Sequence, residues 1–410
     1  MTLKLFLLLM TAIAVVCDSM LHPFYPQYFA SVFGVTDARH VGAYIASCSL
    51  TVLLTFPLWA LIAKRVSVLR LLIGTQLGTC LLSLVCYGTR SLLAFWVLSL
   101  CMMVCKASYL LIYPYVMSLE PKENHVSTIS LLAFVVYFGN ILAALASGAL
   151  FEFVDPRSLF VAMAAGDALQ IALCCFMLRA AESHPAPSSS KDETRIPTRY
   201  LLKLGLVMFV LYFSAYISEP FFAQFWETVA ALDNKFVAGS VFAIPGAAAL
   251  LGLFLNASAS DEEATPYSGI APAIALGVAS LAMQASGLPL AVVAGRFLYG
   301  WALFQSMVRL DGLLFRYSTP ETYAVDFSQA NLFQGLGVLV ASSCAGSLVE
   351  AFGVRLPFGV AALGFVIGGL LYLSLFRSEL RGGAEASLDS RAEPPASTSQ
   401  VTVDEGSSAA

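Results

Sequence analysis

The chain has 410 residues, 59% of them hydrophobic and only 12% charged, for a formal net charge of −4 and a mean hydropathy of +0.80. Soluble domains carry about twice that share of charge, so a water-soluble globular protein is excluded and an integral membrane protein is implied. The nine cysteines all fall inside apolar runs and read as small buried hydrophobes, neither a disulfide framework nor a metal site.

In chain order, hydropathy and charge punctuation predict twelve membrane helices, at about 3–26, 41–62, 70–88, 92–117, 127–150, 158–179, 200–225, 236–255, 268–286, 289–314, 324–349 and 356–377. Each is near the length needed to cross about 30 Å of hydrocarbon. Lys4 before an apolar run, with Ala12-Ile13-Ala14 after it, has the pattern of a cleaved signal. The equivalent segment at 201–222 is internal, so the first helix is expected to be retained. Between helices 6 and 7 lies a Pro/Ser-rich polar stretch, and after Arg381 the chain turns to Gly, Ala, Ser, Pro and acidic residues. The expected organisation is a first six-helix bundle over 1–180, a cytoplasmic linker at 181–199, a second bundle over 200–378 and a disordered cytoplasmic tail at 379–410.

The two bundles repeat one another. His22-Pro23-Phe24-Tyr25-Pro26-Gln27-Tyr28-Phe29 recurs 197 positions later as Glu219-Pro220-Phe221-Phe222-Ala223-Gln224-Phe225-Trp226, and Gly42 meets Gly239 at the same offset. At an offset of 198, Gly148-Ala149-Leu150-Phe151-Glu152 meets Gly346-Ser347-Leu348-Val349-Glu350, with Arg157 over Arg355 and Phe160 over Phe358. The aromatic clusters at 24–29 and 221–226 read mostly as an interfacial belt, and runs such as 143–148 as close helix packing. With the N-terminus inside, fourteen Lys and Arg fall on the cytoplasmic side and five on the other, namely Arg39, Arg90, Arg157, Lys235 and Arg355. Positive charge is retained inside, so both termini are expected in the cytoplasm, in a bacterial inner membrane.

Two similar six-helix halves with a central linker resemble the major facilitator superfamily of secondary transporters. The resemblance covers residues 3–377 and rests on architecture and repeat more than on signature motifs. The family's loop between helices 2 and 3 usually reads Gly-x-Leu-x-Asp-Arg-x-Gly-Arg-Arg. Here it is Ala60-Leu61-Ile62-Ala63-Lys64-Arg65-Val66-Ser67-Val68-Leu69, in which Arg65 survives and Lys64 replaces the latching acid. Asp261-Glu262-Glu263 occupies the matching loop of the second half, either facing these bases or simply solvated. Lys106 sits at the depth where the family often has an arginine in helix 4. The resemblance implies an all-α membrane protein of twelve transmembrane helices in two pseudo-symmetric bundles that rock to expose a central site alternately.

Charge inside a membrane helix costs about 2.5–3.5 kcal/mol and persists where it is paired, wet or at a site. Lys106 is expected either to bind an anionic solute or to pair with Asp18 or Glu219. Asp18 and His22 share one face of helix 1, with Tyr25 a turn further on, and can carry a proton inward. Glu219 takes the repeat position of His22 beside Pro220, where the helix can bend; it is the preferred coupling residue. Arg296 in helix 10 lines the site or snorkels outward. Asn140 and Gln334 are further substrate-site candidates. Arg309, Asp311 and Asp326 read as a local charge network with a gating role, as do Lys64 and Arg65. Asp167 in helix 6, opposite Phe365 in the repeat, is left unassigned.

No phosphate-binding glycine loop, nucleophile–base constellation, metal spacing or basic nucleic-acid patch stands out, so no cofactor and no catalysis are expected. The reading is a monomeric, proton-coupled transporter of a small organic solute, anionic or zwitterionic, such as a metabolite, a drug-like compound or a carboxylate chelator. Efflux is preferred. An importer of the same fold, a sensor or a lipid flippase are the alternatives.

Overall fold

The computed structural model describes residues 3–112, 115–116, 125–180, 198–258, 267, 269–317 and 323–380. Residues 181–197 of the expected 181–199 linker, residues 381–410 of the expected tail and the acidic loop Asp261-Glu262-Glu263 lie outside the described residues, whereas 198 and 199 already belong to the next helix. Among these residues all regular structure is helical. Helix α1 is broken into α1a (Leu3–Ser19) and α1b (Tyr25–Phe33), joined by a 3-10 turn at His22–Phe24. Then come α2 (Ala38–Ala63), α3 (Val68–Gly88), α4 (Leu92–Lys106, tightening to 3-10 over Ala107–Leu111), α5 (His125–Phe153) and α6 (Ser158–Ala180). The second half opens with another broken helix, α7a (Thr198–Tyr216) and α7b (Phe222–Ala230). It continues with α8 (Lys235–Ser258), α9 (Ile270–Ala285), α10 (Pro289–Tyr317), α11 (Tyr323–Phe352) and α12 (Leu356–Leu375).

Ten stretches are long and apolar enough to span a membrane, and the short α9 and the diluted α10 complete the twelve expected rods. Helix α10 has the length, but Arg296, Gln305, Arg309 and Asp311 interrupt its apolar run. The breaks in α1 and α7 fall at Pro23 and Pro220, as proline's missing N–H requires. An i+3 hydrogen bond closes each, from Phe24 N to Leu21 O at 3.1 Å and from Phe222 N to Glu219 O at 3.2 Å.

The repeat is visible in the packing. Within the first half α1 packs on α5 and α6, α3 on α4 and α6, and α2 on α4; each contact recurs six helices later in the second half. The halves meet along α2–α11 and α5–α8, which are also related by that shift. We call the face where α1a begins and α12 ends the terminal face, and its opposite the far face.

At the far face the halves are tied reciprocally. The Glu350 carboxylate at the end of α11 accepts the Ala38 N–H at the start of α2, at 3.1 Å. Its repeat partner Glu152, at the end of α5, accepts the Lys235 N–H at the start of α8, at 2.7 Å. Beneath each tie two glycines cross: a Cβ on Gly42 would stand 2.9 Å from Gly346 Cα, and one on Gly239 would stand 2.5 Å from Ala144 O beside Gly148. Gln27 Nε2 donates to Glu227 Oε1 at 3.4 Å, and the Lys235 ammonium lies 3.1 Å from the same oxygen. Burial pushes the Glu227 carboxyl up from its ordinary range, against the opposing pull of Lys235 and Gln27.

The aromatic clusters do not form a belt. Phe24, Tyr28, Phe29, Phe221, Phe222 and Phe225 are all buried. Tyr28 and Phe29 join Phe33, Tyr44, Phe95 and Phe160 in a network of ring contacts that fills the far end of the first half.

Candidate functional site

Lys106 is the last residue of the α-helical part of α4, where the chain tightens to 3-10. Only 5% of its side chain is exposed, and its ammonium rests on Asp18 Oδ1 of α1a, which is 30% exposed. Of the two expected partners, the lysine takes Asp18. A second carboxylate stands behind this pair. Asp167 of α6 is buried, its Oδ2 has no hydrogen-bond partner among the described residues, and it lies within electrostatic reach of Lys106 and Asp18. Gly166 permits this approach, since a Cβ there would fall 2.2 Å from Cys17 Sγ on α1a. Sequence reasoning passed over Asp167; an acid in an otherwise apolar helix was the available signal.

Along α1, Ser19 donates to Asn140 Oδ1 of α5 at 2.7 Å. His22 is exposed although it lies near the charges of Asp18 and Lys106. Its ring faces that of Tyr25 at 6.0 Å, and Tyr25 in turn is buried against Tyr44 at 5.7 Å.

The second half holds a matching pair on the matching helices. Arg296 of α10 donates from Nη1 to Glu219 Oε1 at 3.0 Å and from Nη2 to the Phe242 carbonyl of α8 at 2.8 Å. Its guanidinium lies 4.0 Å from the centre of the Phe222 ring. At 1% exposure Arg296 is interior and does not snorkel to the outer surface. Gly300, one turn on, lets α10 press against Pro245 of α8, which brings Phe242 within reach.

The pairs join α1 to α4 and α7 to α10, so they are equivalent by helix but not by register. Glu219 stands at the repeat position of His22, four residues beyond Asp18. At 1.5 Å per residue that is about 6 Å of depth.

Asp311 of α10 is half-buried, and its charge acts on Tyr137 of α5 and Tyr212 of α7. The expected Arg309–Asp311–Asp326 network does not form as one unit. Residues two apart on a helix do not face each other, and the Arg309 guanidinium packs on Gly269 at the start of α9. Asp326 is buried, with Oδ2 unpartnered among the described residues. Gln334 is also buried, with Nε2 3.6 Å from Met208 Sδ. Lys64 and Arg65 are exposed at the terminal face, with no ion-pair partner among the described residues.

A family model described as the Major Facilitator Superfamily matches residues 7–279. Comparison with curated proteins gives no match. Among solved structures, the chain is similar to a bacterial homologue of the human lysosomal transporter Spinster, inward-facing and occupied. The TM-score is 0.74 at 14% identity, over 92% of this chain and 97% of that one. It is similar to the nucleoside transporter NupG at a TM-score of 0.71 and 14% identity, over 92% of this chain and 99% of the other. The human organic anion transporter MFSD10 aligns at a TM-score of 0.69 and 14% identity, covering 90% of this chain and 98% of that one. At such identities the likeness is one of fold.

Proposed function

The chain belongs to the Major Facilitator Superfamily, and from that premise we propose a proton-coupled secondary transporter that exports a small anionic or zwitterionic organic solute by alternating access. The observation that carries this reading is the set of charges in the middle of the bundle: Lys106 on Asp18 with Asp167 behind, and Arg296 on Glu219. Groups this costly to bury in a membrane are retained where a solute or proton must be handled.

Exchange follows if solute and proton depend on the same carboxylates. With Asp18 ionised, Lys106 is held in place and its remaining donors can meet a solute carboxylate. A proton arriving at Asp18 by way of His22 neutralises it, frees the lysine from its anchor and dismantles the solute site. Glu219 acts on Arg296 in the same sense. Solute therefore leaves as the proton enters. The similarity to MFSD10, a human organic anion transporter, is consistent with the anionic end. The excess of Lys and Arg at the terminal face supports a cytoplasmic location for that face, in a bacterial inner membrane. We take the protein to act as a monomer.

A metabolite library screened by thermal shift on detergent-purified protein supplies a solute, which is then followed by counterflow in proteoliposomes with and without a pH gradient. The gradient should accelerate flux in the native protein. Asp18→Asn and Glu219→Gln, fixed in the neutral form that releases solute, should weaken solute binding and lose both counterflow and the gradient's effect. An unchanged gradient response in Glu219→Gln removes Glu219 from coupling.

A further inference from the structure

Asp18 and Asp167 stand around the one ammonium of Lys106, and side-chain contacts bring the three to one depth of the first half. Lys106 rests on Asp18. Gly166 lies against Cys17, so α6 meets α1a at the residues adjacent to the two acids. Ser83 Oγ lies 3.2 Å from Met102 Sδ, and Ser108 donates to Thr75 Oγ1 at 2.7 Å. These two contacts set Lys106 of α4 at the depth of Thr79 on α3. Cys80, beside Thr79, reaches Ala164 O, one turn from Asp167 on α6, at 3.4 Å.

Asp167 and Gln170 belong to the buried stripe of α6, with Ala164 and Cys174. Two acceptor oxygens on this stripe, Asp167 Oδ2 and Gln170 Oε1, have no hydrogen-bond partner among the described residues. Residues three apart on a helix are neighbours, yet two acceptors cannot satisfy each other. The charges show the same gap. With both acids ionised, the group carries one negative charge more than Lys106 cancels, where burial makes an uncompensated charge costly. One proton on Asp167 closes both gaps: it removes the excess charge and turns Oδ2 into a donor for Gln170 Oε1. A Gln170 amide turned end for end would offer an N–H to an ionised Asp167 but leave the charge uncancelled.

We infer that Asp167 is the seat of the coupling proton, holding it while Lys106 stands on Asp18 and surrendering it when the lysine crosses over. This deepens the transporter reading above and rests on it. A proton reaching Asp18 from the far side forms an O–H there and releases Lys106. The ammonium moves to Asp167, whose O–H breaks. That proton leaves past Gln170, one turn nearer the terminal face, on the side where Cys174 meets Met10 of α1a. One proton enters as one leaves, and the two acids with their lysine stay neutral together. The other titratable side chains against this part of α6 are Cys17 of α1a and Cys80 of α3, both thiols.

Infrared spectroscopy of the detergent-purified full chain at neutral pH tests this, because a protonated carboxyl and a carboxylate absorb at separate frequencies. Native minus Asp167→Asn should show one protonated-carboxyl band that moves to lower frequency in heavy water. Asp18→Asn should lose the same band, since Lys106 then crosses to Asp167 and ionises it. Gln170→Leu should keep the band but raise its frequency, the acid having lost its acceptor. If Asp167→Asn does not fold, Asp167→Glu in protein carrying carbon-isotope-labelled aspartate makes the same comparison, because the new glutamate lacks the label. A carboxylate band in place of the acid band, or an acid band that survives Asp18→Asn, overturns the inference and leaves the transporter reading standing. Sodium at this place would give that carboxylate band, with a thermal midpoint raised by sodium chloride and not by choline chloride. Native counterflow indifferent to a pH gradient would overturn coupling itself and the proton's role with it, and an intact acid band tells that failure from the first.

Discussion

Lys106 carries one carboxylate in contact and a second within electrostatic range, so its loss leaves two acids uncompensated. Removing one member of a fully buried pair costs about 3–5 kcal/mol. Asp18 keeps 30% exposure, so Lys106→Met alone should cost about 2–3 kcal/mol. Adding Asp18→Asn should restore part of this, and Asp167→Asn in the Lys106→Met background should do the same. Thermal midpoints of purified protein, read as a double-mutant cycle, check the point. Strictly additive losses would mean the three groups do not act on one another. Arg296 is a different kind of residue, its donors and its ring contact fixed by Glu219, the Phe242 carbonyl and Phe222. Lysine could not reproduce that planar arrangement.

Among the helices, the reciprocal caps at the far face are the least expected feature. A carboxylate on the first N–H groups of a helix satisfies an orphan donor and opposes the positive end of the dipole. Here each cap is supplied by the other half, so the satisfaction exists only while the far face is closed. A cap is worth about 1 kcal/mol, and a tenfold change in population corresponds to about 1.4 kcal/mol. Glu350→Ala or Glu152→Ala, which remove the accepting oxygen, should therefore shift the equilibrium several-fold toward an open far face, and the pair together by about tenfold or more. Distances between spin labels at the far ends of α2 and α11 would report it. If the double variant keeps the native distance distribution, the caps do not hold the gate. The repeat had placed Glu152 over Glu350 in the sequence. Their partners could not be read there, because each lies in the opposite half.

At the scale of the molecule, closure depends on two places where backbones touch. A Cβ at Gly42 would stand 2.8 Å from Ser342 O, and one at Gly239 only 2.5 Å from Ala144 O. Backbone cannot move aside as a flexible side chain can. Gly42→Val and Gly239→Val should thus leave each bundle folded yet prevent the far face from closing. Labelling of a far-face cysteine by a membrane-impermeant maleimide should rise several-fold over the native background, and unchanged labelling would show that the crossings are not needed for closure. The breaks at Pro23 and Pro220 belong to the same design, since they turn α1b and α7b over the far end, where Gln27 meets Glu227.

The sequence alone determined the class of the protein, its twelve rods, the duplication and the positions of the costly charges. Those follow from local quantities: hydropathy over about 20 residues, proline's missing N–H and direct comparison of the two halves. Most of the residues of interest were legible for the same reason, as Lys106, Asp18, Glu219 and Arg296 all stand out against apolar surroundings. Which group meets which was decided only by the tertiary structure. The rotation of each helix about its axis sets whether a side chain faces a partner, a cavity or lipid, and no local property fixes that angle. So Arg296 turned inward to Glu219, Arg309 and Asp311 parted, the belt aromatics became core, and Asp167, unassigned on the sequence, came to lie behind the lysine.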